Sequence, residues 1–182
     1  MIEPGGAGRF LISTPRLRLR PVSMDDLDDL HRLWTDPAVR EFFWDGETIS
    51  SERAEAAVRE GVEDFERHGF GLWVAKEADR LLGFCGLRPL DHGPDVEVLY
   101  GISPSRWGEG LATEVALAMV RYGFEEAGLE RILGIADTEN APSRRVLEKI
   151  GMTFEEHVIH EGREEAHYSI QREEFRPSAA PG

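Results

Sequence analysis

A single cysteine, Cys85, in 182 residues excludes an internal disulfide framework. Its setting, Leu81-Leu82-Gly83-Phe84-Cys85-Gly86-Leu87, is that of a buried strand residue, so it is read as packing and not as a nucleophile. No stretch approaches the roughly 18 consecutive apolar residues of a membrane span. The start, Met1-Ile2-Glu3-Pro4-Gly5-Gly6-Ala7-Gly8, has neither the basic region nor the apolar core of an export signal. The expectation is therefore a cytoplasmic protein without a membrane partner. Positive charge is scarce: 21 Lys and Arg stand against 35 Asp and Glu, a net of −14. That balance argues against phosphate-dominated nucleic-acid binding and suits a cationic partner such as an amine. The 6 histidines, at 31, 68, 92, 157, 160 and 167, offer no helical His-x-x-x-His pair and no cysteine companion. His157 and His160, in a β-like segment, point to opposite faces, so no metal site is expected.

What is present fits one soluble domain with a sizeable core: 41% hydrophobic and 31% charged residues. The domain is expected over residues 11–175, with residues 1–10 and 176–182 as mobile tails. Leu and Arg alternate over 16–21, the period of a half-buried strand with Leu17 and Leu19 inward and its arginines solvated. Ser23 caps a helix over 24–34 that Asp36-Pro37 stops. Three aromatics follow within 39–46 beside a turn and are read as core packing over a channel wall. A helix over 51–68 starts at Ser50 or Ser51 and ends at Gly69. Apolar runs at 72–76 and 81–88 form a hairpin, and a strand over 96–102 makes three antiparallel strands in succession. Beyond a glycine loop, Leu111, Val115, Ala118 and Tyr122 give a helix one buried stripe, ended by Gly128. A strand over 131–136, a helix over 141–150 and strands over 154–160 and 165–172 complete a mixed sheet flanked by helices, an α/β fold.

The richest segment is Arg106-Trp107-Gly108-Glu109-Gly110-Leu111-Ala112-Thr113-Glu114. It joins a strand to a helix, where about four backbone N–H groups lack partners and the helix dipole adds positive charge. That junction holds phosphate well. No Gly-Lys-Ser/Thr ending makes it a triphosphate P-loop, and a dinucleotide fingerprint would need glycine at Thr113. The loop instead resembles the pyrophosphate loop of the GNAT acetyltransferases, Gln/Arg-x-x-Gly-x-Gly/Ala, with Trp107 in the Gln/Arg position. Residues Asp137 to Met152 resemble the Asn-x-x-Ser…Gly-Phe/Met block of that superfamily, with Asn140, Ser143 and Gly151 in register. Glu97-Val98-Leu99-Tyr100-Gly101-Ile102 and Thr14-Pro15-Arg16-Leu17-Arg18-Leu19-Arg20-Pro21 are similar to strands of the branch of ribosomal-protein N-terminal (Rim-type) acetyltransferases.

The resemblance implies a single GNAT domain with a central, mostly antiparallel sheet. It implies acetyl-coenzyme A as cosubstrate and transfer of its acetyl group to a primary amine, with no metal. The coenzyme would lie along Ile102, Trp107, Gly108, Glu109, Gly110, Leu111, Ala112 and Thr113, with Asn140 on its pantetheine arm and Ser143 beside it. Glu109 departs from the lysine common in the family, and a carboxylate beside phosphates is repulsive unless it points to water. An amine of reference pKa roughly 8 to 10.4 is mostly protonated at neutral pH, so a base must help. Glu97 is the candidate, directly or through water. An oxyanion donor is expected from the backbone near 100–102, at a strand bulge. The family's tyrosine seven residues after the asparagine is Leu147 here, which leaves Ser143 to meet the departing thiolate; Tyr168 is read as core. The acceptor is either a protein N-terminus or a small amine such as an aminoglycoside or polyamine, a homodimer is compatible with the pattern, and the alternative is an acyl-coenzyme A sensor of weak activity.

Overall fold

The computed structural model describes residues 10–90 and 94–176. The expected tails lie outside the described residues except for Phe10 and Arg176, and so does His92. In chain order the elements are β1 (Ile12–Ser13), β2 (Arg18–Pro21), α1 (Leu27–Trp34), α2 (Pro37–Phe43), α3 (Ser51–His68), β3 (Leu72–Glu77), β4 (Arg80–Pro89), β5 (Val96–Ile102), α4 (Leu111–Glu125), β6 (Arg131–Asp137), α5 (Ala141–Lys149), β7 (Thr153–His160) and β8 (Arg163–Gln171). The strands make one 8-stranded sheet ordered β1-β2-β3-β4-β5-β6-β8-β7. Every neighbouring pair is antiparallel except β5 and β6, which are parallel. Among the described residues no helix is long and apolar enough to cross a membrane.

Two apolar layers cover the sheet. On one face Val98 and Ile102 of β5 pack with Leu111 and Val115 of α4 and Leu147 of α5. On the other, Leu30 and Trp34 of α1 and Val58 of α3 pack on Val74 and Phe84 of the sheet. Each such side chain contributes about 1.5–3 kcal/mol by leaving water. The alternation along β5 assigns its residues: Val96, Val98, Tyr100 and Ile102 face α4 and α5, while Glu97 and Leu99 face the α1–α3 side.

Three local expectations are corrected. Asp36-Pro37 ends α1 but also starts α2, because the Asp36 carboxylate accepts from the Ala38 N–H at 3.0 Å and Pro37 stands in the first turn, where its missing N–H is not needed. Of the three aromatics after it, Phe43 and Trp44 pack on the core as expected, 4.4 Å from Phe84 and 5.6 Å from Trp34, centroid to centroid, whereas Phe42 is 37% exposed. The arginines around β2 are not a simple solvated face. Arg16 and Arg20 both hold carboxylates, and only Arg18 is left to water. Finally, α4 ends at Glu125, before Gly128 adopts φ 72°.

Arg20 grips the buried Asp26 with two bonds, at 2.6 and 2.7 Å, and the Ser23 N–H and Lys76 add to the grip. Burial alone would raise the Asp26 carboxyl; Arg20, Ser23 and Lys76 outweigh it and hold the group below the ordinary range. A depressed folded-state pKa gives stability that is present above the unfolded value, roughly 3.9, and lost as pH falls through the lower folded value. Asp26→Asn should cost about 2–4 kcal/mol in urea unfolding at neutral pH, with the gap to wild type closing below about pH 4. A gap that persists there would assign the loss to packing.

Candidate active site

The strands β5 and β6 meet at one register pair, Glu97 opposite Leu133. Each continues beyond it, to Ile102 and Asp137, unpaired with the other. Their carboxyl-terminal halves therefore part, and main-chain groups of both strands line the gap. The ladder from β4 to β5 is continuous from Val96 to Ile102, so the bulge expected near 100–102 is absent. Donors toward the gap arise instead from ordinary alternation, since every second residue of an antiparallel strand turns its N–H away from its partner.

The phosphate-loop candidate lies at the end of β5. A single 3-10 turn, Pro104–Arg106, leads into it, and Trp107 Nε1 donates to the Ile102 carbonyl at 2.7 Å, which ties loop to strand. Gly108 and Gly110 have φ 81° and 80°, a left-handed backbone that strains any L side chain. A Cβ on Gly108 would meet nothing within 4 Å, and one on Gly110 only Arg16 Nη2 at 3.7 Å. Helix α4 makes its first bond from the Glu114 N–H to the Gly110 carbonyl at 3.1 Å. The N–H groups of residues 108–113 have no backbone acceptor among the described residues. With the helix dipole behind them they form a main-chain anion site that fits a pyrophosphate. Leu111 is buried in the core, and Ala112 and Thr113 are half-buried, so all three have main chain to offer.

Glu109 is held, not loose. Arg106 donates to both its carboxylate oxygens, at 2.7 and 2.9 Å, and also binds Glu77 at 2.9 Å. The Arg106 bond keeps the Glu109 carboxyl below the ordinary range and balances its charge. The repulsion feared from the sequence is thereby offset.

Across the gap, α5 begins at Asn140, whose Oδ1 accepts from the Ser143 N–H at 3.1 Å. That oxygen caps the helix, and the side-chain amide has no partner among the described residues. Ser143 lies against Tyr100 of β5, whose hydroxyl is 2.9 Å from Ser143 Oγ and donates to the Ser143 carbonyl at 3.1 Å. Burial pushes the Tyr100 phenol far up, so it stays protonated and able to donate. Leu147 is core, 1% exposed. Tyr168 is buried as expected, with its hydroxyl within 3.2 Å of Arg144 Nε. Glu97 is buried on the opposite face from Tyr100. Its Oε1 takes both Arg88 Nε, at 2.7 Å, and Arg88 Nη2, while Oε2 has no hydrogen-bond partner among the described residues. Tyr100, Arg88 and Arg16 were not singled out from sequence as side chains at the site. Only the register of β4 with β5, which sets Arg88 opposite Glu97, carried a local signal. No group of three or more His, Cys, Asp or Glu side chains among the described residues is arranged to hold a metal.

The sequence profile described as an acetyltransferase (GNAT) domain matches residues 16–153, a span that includes both the gap and the loop. The chain belongs to the GNAT acetyltransferase family. It is an enzyme of acetyl transfer from acetyl-coenzyme A to an amine. It is 31% identical, over 90% of its length and 77% of the relative's, to the FsC-acetyl coenzyme A-N(2)-transacetylase of Aspergillus fumigatus. A GNAT-family acetyltransferase from Bacillus anthracis superposes with a TM-score of 0.77 at 26% identity, covering 91% of this chain and 100% of that one. Two structures share the fold at lower identity. One is RimL, a ribosomal L7/L12 α-N-protein acetyltransferase in complex with coenzyme A (TM-score 0.77, 16% identity, 89% and 98% covered). The other is spermidine N-acetyltransferase from Vibrio cholerae in complex with coenzyme A and spermine (TM-score 0.74, 20% identity, 87% and 97% covered).

In this GNAT domain Gly110→Asp would force a side chain onto a left-handed residue and set a carboxylate at the main-chain donors. Calorimetry should find acetyl-coenzyme A binding lost, at least about 100-fold weaker, which is roughly 2.7 kcal/mol. Unchanged affinity would move the coenzyme phosphates off this loop.

Proposed function

We propose that the parting of β5 from β6 is the catalytic cleft and that the acceptor is a cationic amine reaching it from the Glu97 face. The coenzyme supplies an activated acetyl group and, on transfer, a thiolate. The N–H groups of residues 108–113 bind its pyrophosphate, and the free amide of Asn140 meets the pantetheine arm. Glu97 takes the ammonium proton through water at Oε2, because Arg88 occupies Oε1. Main-chain N–H groups of β5 within the gap stabilise negative charge on the acetyl oxygen. Tyr100 turns its hydroxyl from the Ser143 carbonyl to the leaving sulfur, beside Ser143, the task for which Leu147 has no group. A thiol of reference pKa about 8.5 departs as thiolate without full protonation, so a hydrogen bond suffices.

The observation that carries the acceptor reading is the charge of one face. Glu97 pairs with Leu133, two-residue steps along β6 reach Asp137 on that same face, and Asp137 pairs with Glu165 of β8. Arg163 bonds Asp137 at 2.6 Å and Asp45, beyond α2, at 3.3 Å, and His167 lies 3.0 Å from Glu165. One arginine thus stands among Asp45, Asp137 and Glu165. Burial outweighs Arg163 and raises the Asp137 carboxyl. The RimL and spermidine enzymes of like fold, acting on a protein α-amine and a polyamine, supply the two amine classes to test. Turnover of acetyl-coenzyme A by the pure protein with N-terminal peptides and with polyamines decides between them; absence of turnover with any amine would favour a sensor.

Glu97→Gln should leave coenzyme affinity nearly intact and lower turnover about 10²–10⁴-fold at neutral pH. Activity should recover as pH rises toward the amine's own pKa, because neutral amine then forms unaided. Tyr100→Phe should lose less and show no such recovery. Full turnover by Glu97→Gln near pH 7 would return Glu97 to the role of a strand carboxylate paired with Arg88.

A further inference from the structure

Arg16 comes to the phosphate loop from the other end of the chain. Its Nε and Nη2 meet Glu114 Oε2 at 2.7 and 2.6 Å, and its Nη1 donates to the Glu109 carbonyl at 2.7 Å. The backbone N–H of Arg16 and the Thr14 hydroxyl bond Glu114 Oε1, at 2.9 and 2.5 Å. The segment before β2 therefore clasps the first turn of α4. A guanidinium has five N–H donors in a fixed fork. These bonds leave an N–H on Nη1 and another on Nη2 without a partner among the described residues, in a side chain 42% exposed. Nη2 is also the one atom near the open side of Gly110. The charges fit a further role. Arg106 spends four of its five N–H donors on two carboxylates, Glu109 and Glu77, whereas Arg16 faces one carboxylate, Glu114, and keeps two N–H groups.

We propose that Arg16 is a coenzyme-binding residue, which braces the loop through Glu109 and Glu114 and gives its remaining N–H donors to the coenzyme phosphates. The proposal rests on the reading that residues 108–113 hold the pyrophosphate. It adds a side-chain cation, from a segment about ninety residues away, to a site otherwise made of main chain.

Calorimetry of wild type, Arg16→Gln, Arg16→Lys and Glu114→Gln against acetyl-coenzyme A over a series of salt concentrations tests it, with thermal unfolding to confirm that each variant is folded. Arg16→Gln should weaken binding about 10- to 100-fold, the loss of one charge-assisted hydrogen bond, and flatten the salt dependence. Glu114→Gln lowers thermal stability but frees the guanidinium of its carboxylate, so affinity should hold or rise. Arg16→Lys keeps the charge and should keep most of the salt dependence, which carries the test should Arg16→Gln fail to fold. Equal affinity in Arg16→Gln overturns the proposal and leaves the loop reading standing. Equal weakening in Arg16→Gln and Glu114→Gln with unaltered salt dependence also overturns it, since Arg16 is then only a brace. If Gly110→Asp binds as well as wild type, the loop reading falls and the proposal with it.

Discussion

Everything at the site depends on one weak seam in the sheet. β5 is paired along its whole length to β4, and β6 along its whole length to β8, both antiparallel. Between these two blocks lies the sole parallel junction, a single register pair. Parallel pairing is slightly less stable per residue, and each block follows its own twist, so the strands separate where neither partner constrains them. Backbone groups left open there would be costly in a core. In a cleft they stay hydrated until a ligand takes their bonds. Both helices that follow, α4 and α5, start at the carboxyl ends of the parted strands, so two helix N-termini point toward the same opening.

An acidic protein that binds a polyanion has an electrostatic problem, which is solved locally. Two unit charges 4 Å apart interact by about 4 kcal/mol at an effective dielectric near 20. Beyond about 8 Å at physiological ionic strength, salt screens exposed charges strongly. The net of −14 therefore matters less at the loop than the carboxylates beside it. Glu77 and Glu109 share Arg106, and Glu114 has Arg16. On the other face Glu97 has Arg88, Asp137 and Asp45 share Arg163, and Glu165 meets His167. In the reaction proposed, the coenzyme phosphates meet main-chain donors at a loop whose carboxylates are already paired, so the acidity of the molecule as a whole does not oppose them there.

Much of this was legible in the residues. The two glycines before an amphipathic helix marked the loop, and Leu17 and Leu19 alternated inward as their period required. Helix α3 begins at Ser50 and ends at Gly69. What could not be read were partners distant in sequence. Ser143 was a candidate by its place in a motif, yet the phenol that binds it comes from Tyr100, 43 residues earlier. Arg16 lay in a pattern that reads as a solvated strand face, and only the fold brings it to Glu114. Helix α2 was missed for another reason: Asp-Pro serves equally as a stop and as a cap with its first helical residue, and a segment of 7 residues has too little periodicity to decide.

The spacing from Glu97 to Tyr100 ties these features into one geometry. Along a strand, residues an odd number apart face opposite sides, so a single strand delivers a carboxylate to one face of the sheet and a hydroxyl to the other. The carboxylate face is the acidic one, under α1–α3, and the hydroxyl face is that of α4 and α5, where the phosphate loop begins. In the reaction proposed, the proton leaves the amine on the first side and the thiolate departs on the second. The acetyl carbon is then transferred at the parting of β5 and β6. A slip of β5 by one residue would exchange the faces, burying Tyr100 under α1–α3 and bringing Glu97 to the phosphate side. The apolar alternation of Val96, Val98 and Ile102 opposes that slip, because each would lose its place against α4 and α5. Core packing and the division of labour at the site are therefore set by the same register.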